Sequence, residues 1–317
     1  MEGSTTGAKR PAVSVIVVSD HAAGGEPTWN EFRRVARAWA EQDYEGQTEF
    51  VIVESSRHQT QMPEDLRRLA PPFRILYFDA DTSDELKNRG AAVVESDIVA
   101  MVDADCVPRR NWLRLMMAAL TEHPDIAAVS GRTMYPGTTL VERILCLLLR
   151  GYLDPGRRGL TRYIAHNAAG FRRDVLDNHP LPEGLGAFAS QLQSEALARD
   201  GYKFFFEPGM TVTHEYEGWA MECDLRRNHG YGTVITRLTD QRLPYAKLVR
   251  MGVPAIPLIA LGKAIDSFLT CIRCWPYYNL HWYELPVAFV MIFVTQVMEI
   301  PGMLAAYRGV PNPSLFR

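Results

Sequence analysis

The segment VAMVDADCVP, residues 99–108, sets an apolar run directly against two carboxylates. Val99 to Val102 read as a buried strand. Asp103 and Asp105 then stand one residue apart, where that strand should end. A buried carboxylate is costly unless it is paired or bound to a cation. Two acidic oxygens at a strand end suit Mg2+ or Mn2+, which prefer oxygen ligands and bridge one or two carboxylates to substrate phosphates. The plainer alternative is that Asp103 and Asp105 cap a turn before Pro108.

The elements around this pair favour the cation. AVSVIVVS (12–19) is a continuous β-branched run of the kind buried on both faces. TWNEFRRVARAWAEQDY (28–44) carries Phe32, Val35, Ala36 and Trp39 at helical spacing. TEFVIVESS (48–56) reads as a second strand and PEDLRRLA (63–70) as a short helix opened by Pro63. FRILYFD (73–79) is a third strand, SDELKNRGAAVVES (83–96) a helix, and IVAMVDAD (98–105) a fourth strand. Strands alternating with helices predict right-handed crossovers and a mainly parallel α/β sheet. Ligands of such sheets sit at the carboxyl ends of the strands. Here those ends carry Ser19 and Asp20, Glu54 and Ser55, and Asp103 with Asp105. There is no GxGxxG and no GxxxxGK[ST], so the usual phosphate cradles are excluded.

From this point the order of motifs resembles a family-2 glycosyltransferase of the GT-A type, over roughly residues 12–240. VSVIVVS is similar to the opening strand of that family. FVIVESS is similar to the strand whose terminal acid contacts the nucleoside, which implies that role for Glu54 in place of the usual Asp. LKNRGAAVVESDIVAMVDADCVP is the closest match: Lys87, Asn88 and Gly90 fall on the family pattern, as do Asp103 and Asp105. HNAAGFRRDVL (166–176) resembles the segment entering the acceptor side. GYKFFFEPGMTVTHE (201–215) resembles the closing strand that ends in a metal-binding histidine, which implies His214 as a further ligand.

The resemblance implies an inverting enzyme that moves a sugar from a nucleotide-sugar donor to a hydroxyl acceptor with Mg2+ or Mn2+. Asp103, Asp105 and His214 would serve the metal. Ser19, Glu54, Lys87, Asn88, Asp103, Arg226 and Arg227 would line the donor, with His229 of RRNHGYG (226–232) beside them. The acidic pair expected before GY falls on Ala189 and Ser190. Glu195 is then the expected general base, with Gln191 on the same helix face. On the alternative reading Glu195 pairs with Arg199 on a solvated face.

The rest of the chain divides by composition. Residues 1–11 read as a flexible tail without the apolar core of a secretion signal. Residues 12–130 form the donor half and 131–240 the acceptor half. Residues 241–317 form an apolar, Pro-rich helical region. Five cysteines without a framework read as reduced thiols in a cytosolic setting. CIRC (271–274) has CxxC spacing but no second pair for zinc. TLVERILCLLLRGYL (139–153) is an apolar helix that is core, acceptor wall or membrane-facing. VAFVMIFVTQVMEIPGMLAAY (287–307) is long enough to span a bilayer, although Glu299 and Pro301-Gly302 interrupt it. CWPYYNLHWY (274–283) supplies interfacial aromatics. Arg226, Arg227, Arg237, Arg242, Lys247 and Arg250 face only Asp240 across residues 225–250. A basic stretch beside apolar helices suits the cytoplasmic face of the cell membrane. The acceptor would then be a membrane-proximal hydroxyl compound, a lipid-linked one among the candidates. A net charge of −3 gives no global pull toward nucleic acid. Two other readings stand beside this one. The first is a nucleotide-sugar-binding protein without turnover. The second is a nucleotidyltransferase, which would need a basic residue in SDHAAGGEPTW (19–29).

Overall fold

The computed structural model describes residues 12–19, 29–60, 62–68, 73–80, 82–185, 188–216 and 218–312. The expected tail 1–11, Asp20 and most of the glycine-bearing loop at 20–28 lie outside the described residues.

In chain order the elements of the first half are β1 (Val13–Val18), α1 (Asn30–Ala40), β2 (Thr48–Ser55), β3 (Arg74–Phe78), α2 (Ser83–Val93) and β4 (Ile98–Asp103). The expected helix over 63–70 is a single tight turn at Leu66–Arg68. Then come β5 (Cys106–Pro108), α3 (Trp112–Glu122), β6 (Ile126–Ser130), β7 (Thr133–Met134), α4 (Leu140–Arg150), β8 (Gly159–Thr161), β9 (Ala168–Arg172), α5 (Arg173–Asn178), α6 (Ala189–Arg199), β10 (Lys203–Phe206) and β11 (Val212–His214). The chain closes with α7 (Trp219–Thr239), α8 (Ala246–Val249), α9 (Ile256–Cys274) and α10 (Leu285–Tyr307).

Among the described residues the strands form an eight-stranded sheet in the order β3-β2-β1-β4-β9-β6-β10-β8 and a small sheet in the order β5-β11-β7. The first four strands are parallel, as the alternating pattern predicts. β9 then enters antiparallel between β4 and β6. β1 is buried along its whole length, which is why, apart from Ser14, its sequence is Val and Ile on both faces rather than alternating. Apolar clusters fill both faces of the sheet.

Two features of this scaffold position the site. Gly90 lets α2 lie close on the sheet, since a Cβ there would sit 2.9 Å from both Ile16 and Val53. At the start of α2, Thr82 and Glu85 form a reciprocal cap, which fixes the first turn and with it Lys87. The small sheet does the second job. Its antiparallel register sets His214 opposite Cys106, so β11 delivers an imidazole next to Asp105.

The C-terminal region packs onto the rest through α7. A Cβ at Gly230 would lie 1.9 Å from the Glu299 carbonyl oxygen, and one at Gly302 1.9 Å from that of Arg227. Glycine is therefore what allows α7 and α10 to touch backbone to backbone. α10 runs unbroken through Pro301 to Tyr307, so the expected interruption there is absent. Glu299 is 2% exposed and turned inward, paired with Lys263 of α9 and near Arg226 of α7. α4 belongs to the apolar cluster that seats α9 and α10. By length and composition, Val253–Tyr278 and Trp282–Tyr307 are both sufficient to cross a membrane, with 33% and 39% of their most apolar windows buried. Cys271 and Cys274 are buried free thiols of α9.

Candidate functional site

A cavity of about 210 Å³ opens at the carboxyl ends of β1 and β4. Its wall brings together Ser19, Lys87, Asp103, Asp105 and His214, five of the residues singled out from the sequence. Backbone ladders set their places. Val18 pairs with Asp103 across β1 and β4. The Ala104 amide donates to the Val18 carbonyl at 2.9 Å and the Asp103 amide to the Asn167 carbonyl at 3.0 Å. The DAD segment is thus tethered on both sides just past the strand end.

Lys87 Nζ lies 2.7 Å from Asp103 Oδ1. Burial works against the Lys87 charge, but the Asp103 and Asp84 carboxylates outweigh it and hold the ammonium above its usual range. Burial, with the neighbouring Asp105, raises the Asp103 carboxyl despite Lys87. Asp103 is thus paired with Lys87, and the other two residues of the expected ligand set, Asp105 and His214, form a second pair.

His214 Nε2 is 2.9 Å from Asp105 Oδ2. Burial resists ionisation of both groups, yet each charge favours the other: Asp105 is held well below the usual carboxylate range, and His214 is raised. His214 Nδ1 lies 2.7 Å from the Glu215 carbonyl oxygen. That contact orients the ring with Nε2 toward Asp105, as outer-shell carbonyls do for metal-bound histidines. Asp105 Oδ1 is buried with no hydrogen-bond partner. A carboxylate with an unused buried oxygen beside an oriented imidazole is a donor set that fits Mg2+ or Mn2+. Among the described residues no three His, Cys, Asp or Glu side chains converge at coordination spacing. The protein would therefore supply two ligands and leave the other positions to water and phosphate oxygens.

Apart from His229, the other expected residues do not line this cavity. Glu54 is fully buried at the end of β2 and accepts from the Ser55 amide at 2.6 Å. Asn88 is structural: its side chain exchanges two hydrogen bonds of 2.9 Å with the Leu181 backbone. Arg226 is 3% exposed and donates to Glu222 at 2.6 Å, and Arg227 is exposed on α7. Glu195 is not on the cavity wall either. Its Oε1 accepts from Arg162 Nη2 at 2.7 Å and from the Tyr163 hydroxyl at 3.0 Å. Gln191 interacts with the same Tyr163 hydroxyl. In this structure α6 turns the expected base, Glu195, and its neighbour Gln191 toward the 162–163 loop. The Arg199 side chain reaches the Glu195 carbonyl, not its carboxylate. His229 does line the cavity.

Sequence reading missed Asp84, Arg150, His166 and Glu222, all on the cavity wall. Arg150 ends α4 with its Nε buried and unpaired, and nearby ionisable groups hold its charge against burial. Burial and the Lys87 charge push the His166 imidazole down to about 3, so it is neutral at pH 7. Glu222, one turn before Arg226, is 2% exposed. A cation closing an apolar helix was the available signal for Arg150. Glu222 gave none, because no motif in its stretch of sequence marks it.

Residues 27–179 match the profile of Glycosyl transferase family 2. Among solved structures, the chain is similar to the mannosyltransferase PcManGT of Pyrobaculum calidifontis in complex with GDP-Man and Mn2+. The identity is 18% and the TM-score 0.61, over 94% of this chain and 87% of that one. It also resembles residues 1–349 of TarS from S. aureus, with 13% identity and a TM-score of 0.47, over 94% and 90% of the two chains. At 18% identity the likeness to PcManGT is one of fold. No curated protein matches the sequence.

Proposed function

Residues 27–179 make this chain a member of glycosyl transferase family 2, and from that premise we propose a metal-dependent, inverting transfer of a sugar from a nucleotide-sugar donor to a hydroxyl acceptor. The observation that carries the reading is the cluster at the ends of β1 and β4. There an oriented imidazole and a carboxylate with a free buried oxygen lie beside two cations, Lys87 and Arg150.

Glycosyl transfer passes through an oxocarbenium-like state, and the leaving diphosphate gains negative charge. Lys87 and Arg150, both on the cavity wall, are the cations that would meet that charge. A divalent ion held by Asp105 and His214 would add Lewis-acid stabilisation of the same oxygens. Asp103 keeps Lys87 charged and in place. The acceptor hydroxyl must lose a proton, and Glu222 on the α7 wall is the carboxylate suited to take it. Arg226 donates to one oxygen of Glu222, Oε1, at 2.6 Å and holds the carboxylate in place. One displacement, with the acceptor attacking opposite the leaving group, inverts the anomeric carbon.

The test uses purified full-length protein with a panel of nucleotide-sugars and either Mg2+, Mn2+ or EDTA. Metal-dependent release of nucleoside diphosphate, with inversion seen by NMR of the product, is expected. Full activity in EDTA would remove the metal from the reading. One observation favours the rival: Ser190, at the expected acidic pair, lines the cavity without an acid. Tight donor binding with no turnover would decide for a nucleotide-sugar-binding protein, and pyrophosphate release for a nucleotidyltransferase.

We also place the chain on an anionic lipid surface, the cytoplasmic face in our reading. Leu258, Leu261, Ile265, Leu269 and Ile272 recur at helical spacing on α9, each about half exposed. Val290, Phe293 and Val297 do the same on α10 at 63%. Such a stripe is unfavourable in water. Trp282 and Tyr283 are exposed between the helices, and Lys247, Arg250, Arg273 and Arg308 are exposed at their ends, matching anionic headgroups. The full chain should sediment with membranes and resist high salt, while a chain ending near Arg250 should be released. A full-length protein that is monodisperse without detergent would make this face a packed cap or an interface between copies.

A further inference from the structure

Four charged side chains of alternating sign meet between α7, α9 and α10. Glu222 and Arg226 stand one turn apart on α7, with Arg226 Nε 2.6 Å from Glu222 Oε1. Arg226 Nη1 lies 4.0 Å from Glu299 Oε1 of α10. The other Glu299 oxygen pairs with Lys263 of α9, whose Nζ also donates to Thr233 Oγ1 of α7 at 3.0 Å. Glu222, Arg226 and Glu299 are each at most 3% exposed. Burying such ions is costly, and apolar side chains of similar volume often stabilise a fold as well or better. Stability alone therefore gives little reason for this chain of charges. Of the four, only Glu222 reaches the cavity wall.

The packing fixes the other three relative to it. α10 lies backbone to backbone on α7 at Gly230, one turn past Arg226, so Glu299 is held close to the guanidinium. Arg226 Nη2 is buried without a partner, which leaves the position of the guanidinium to its two carboxylate neighbours. Asn312, just beyond α10, donates to Asn228 Oδ1 at 3.0 Å, and Asn228 also lines the cavity. The α7 wall of the cavity is thus braced from the C-terminal region at two places.

We propose that Glu299 is a positioning residue for the transfer: backed by Lys263, it holds Arg226, and Arg226 holds the Glu222 carboxylate where it takes the proton of the attacking hydroxyl. This rests on the reading of Glu222 as the general base. A base must lie within hydrogen-bond reach of its proton, and a misplacement of about 1 Å can cost about 10²-fold in rate. Glu299 touches no substrate and acts through Arg226 alone.

The test follows release of nucleoside diphosphate by the full chain at saturating donor, with the donor found by the panel, beside the donor Kd and the melting temperature. Attack by water draws on the same base, so release reads it without a named acceptor. Glu299→Gln should slow release roughly tenfold and leave the donor Kd within about twofold. Lys263→Met/Glu299→Gln removes both partners of the pair, so the melting temperature should return toward that of the unaltered chain while release stays slow. Added to Glu222→Gln, Glu299→Gln should cost no more than about twofold further, because its effect passes through the carboxylate already replaced. Release by Glu299→Gln within about twofold of the unaltered chain overturns the proposal. So does recovery of release together with melting temperature in the double variant, or a further loss of about tenfold on top of Glu222→Gln, since either marks a merely structural role. If Glu299→Gln does not fold, the double variant decides: slow release supports the proposal and unaltered release overturns it. Slow release by Glu222→Gln beside normal release by Glu299→Gln overturns this inference and leaves the transferase reading intact. Unchanged release by Glu222→Gln takes the base off α7 and overturns the inference too. Absence of release from every nucleotide-sugar sinks the transferase reading itself, and this inference with it.

Discussion

The end of β4 and the face of α6 were read from the same resemblance, and the structure treats them differently. At β4 the expected residues meet: Lys87, Asp103, Asp105 and His214 line one cavity with contacts of 2.7 and 2.9 Å. On α6, Gln191 and Glu195 face the loop at Arg162 and Tyr163 instead. A strand-end residue is placed by sheet register, which backbone hydrogen bonds enforce residue by residue. A residue on a surface helix is placed by how the helix rolls on its neighbours, and one step in sequence turns it by about 100°. Motif spacing carries over intact in the first case and loses its meaning in the second.

The largest effect should come from the strand end. Asp105→Asn removes the charge beside His214 while keeping the shape of the side chain. Activity should fall on the order of 10³-fold, the scale for lost electrostatic stabilisation of a developing charge. Circular dichroism should show a folded protein. Turnover within a few-fold of the unaltered chain would break the comparison at its strong side.

Glu222→Gln comes next, with an expected loss in the transfer rate of about 10²-fold, at the lower end of general base catalysis. Donor affinity should hold, because the proton is lost only during transfer. A structural role would move donor affinity and melting temperature together, so the split between them is the readout. An unchanged rate with an acceptor present would take the base off α7.

Lys87→Met tests the pair that the sequence did not foresee. Removing one partner of a buried ion pair costs about 3–5 kcal/mol, although Asp103, whose carboxyl is already raised, can protonate and soften that loss. Weaker donor binding by roughly tenfold is expected alongside a lower denaturation midpoint. Unchanged donor affinity would confine Lys87 to stability.

The limits of sequence reading follow the same division. The parallel order of β3, β2, β1 and β4 was legible because alternation and β-branched runs encode burial. The role of Gly90 was visible as a motif but acquired its reason only from the packing of Ile16 and Val53. Glu299 stood out as an acid in an apolar helix. Its partners Lys263 and Arg226 lie on other helices, and no local pattern relates the three. Arg150 and Glu222 were illegible as parts of one site for the same reason: α4 and α7 meet only through tertiary packing.

The smallest effect should be that of Glu195→Gln, and it bears most directly on the contrast between β4 and α6. The Glu195 carboxylate meets Arg162 and Tyr163 through one oxygen. Glutamine keeps a carbonyl oxygen able to accept from both. The Arg162 side chain is 60% exposed, so water screens the lost charge and the stability change should not exceed about 1 kcal/mol. Transfer rate and donor affinity should both stay within about twofold. A tenfold slower transfer at unchanged donor affinity would mean that α6 rolls Glu195 into the cavity when substrates bind. The resemblance would then have identified the base correctly, and Glu222→Gln should show no comparable loss. Run side by side, the two glutamine variants decide which helix, α6 or α7, receives the proton.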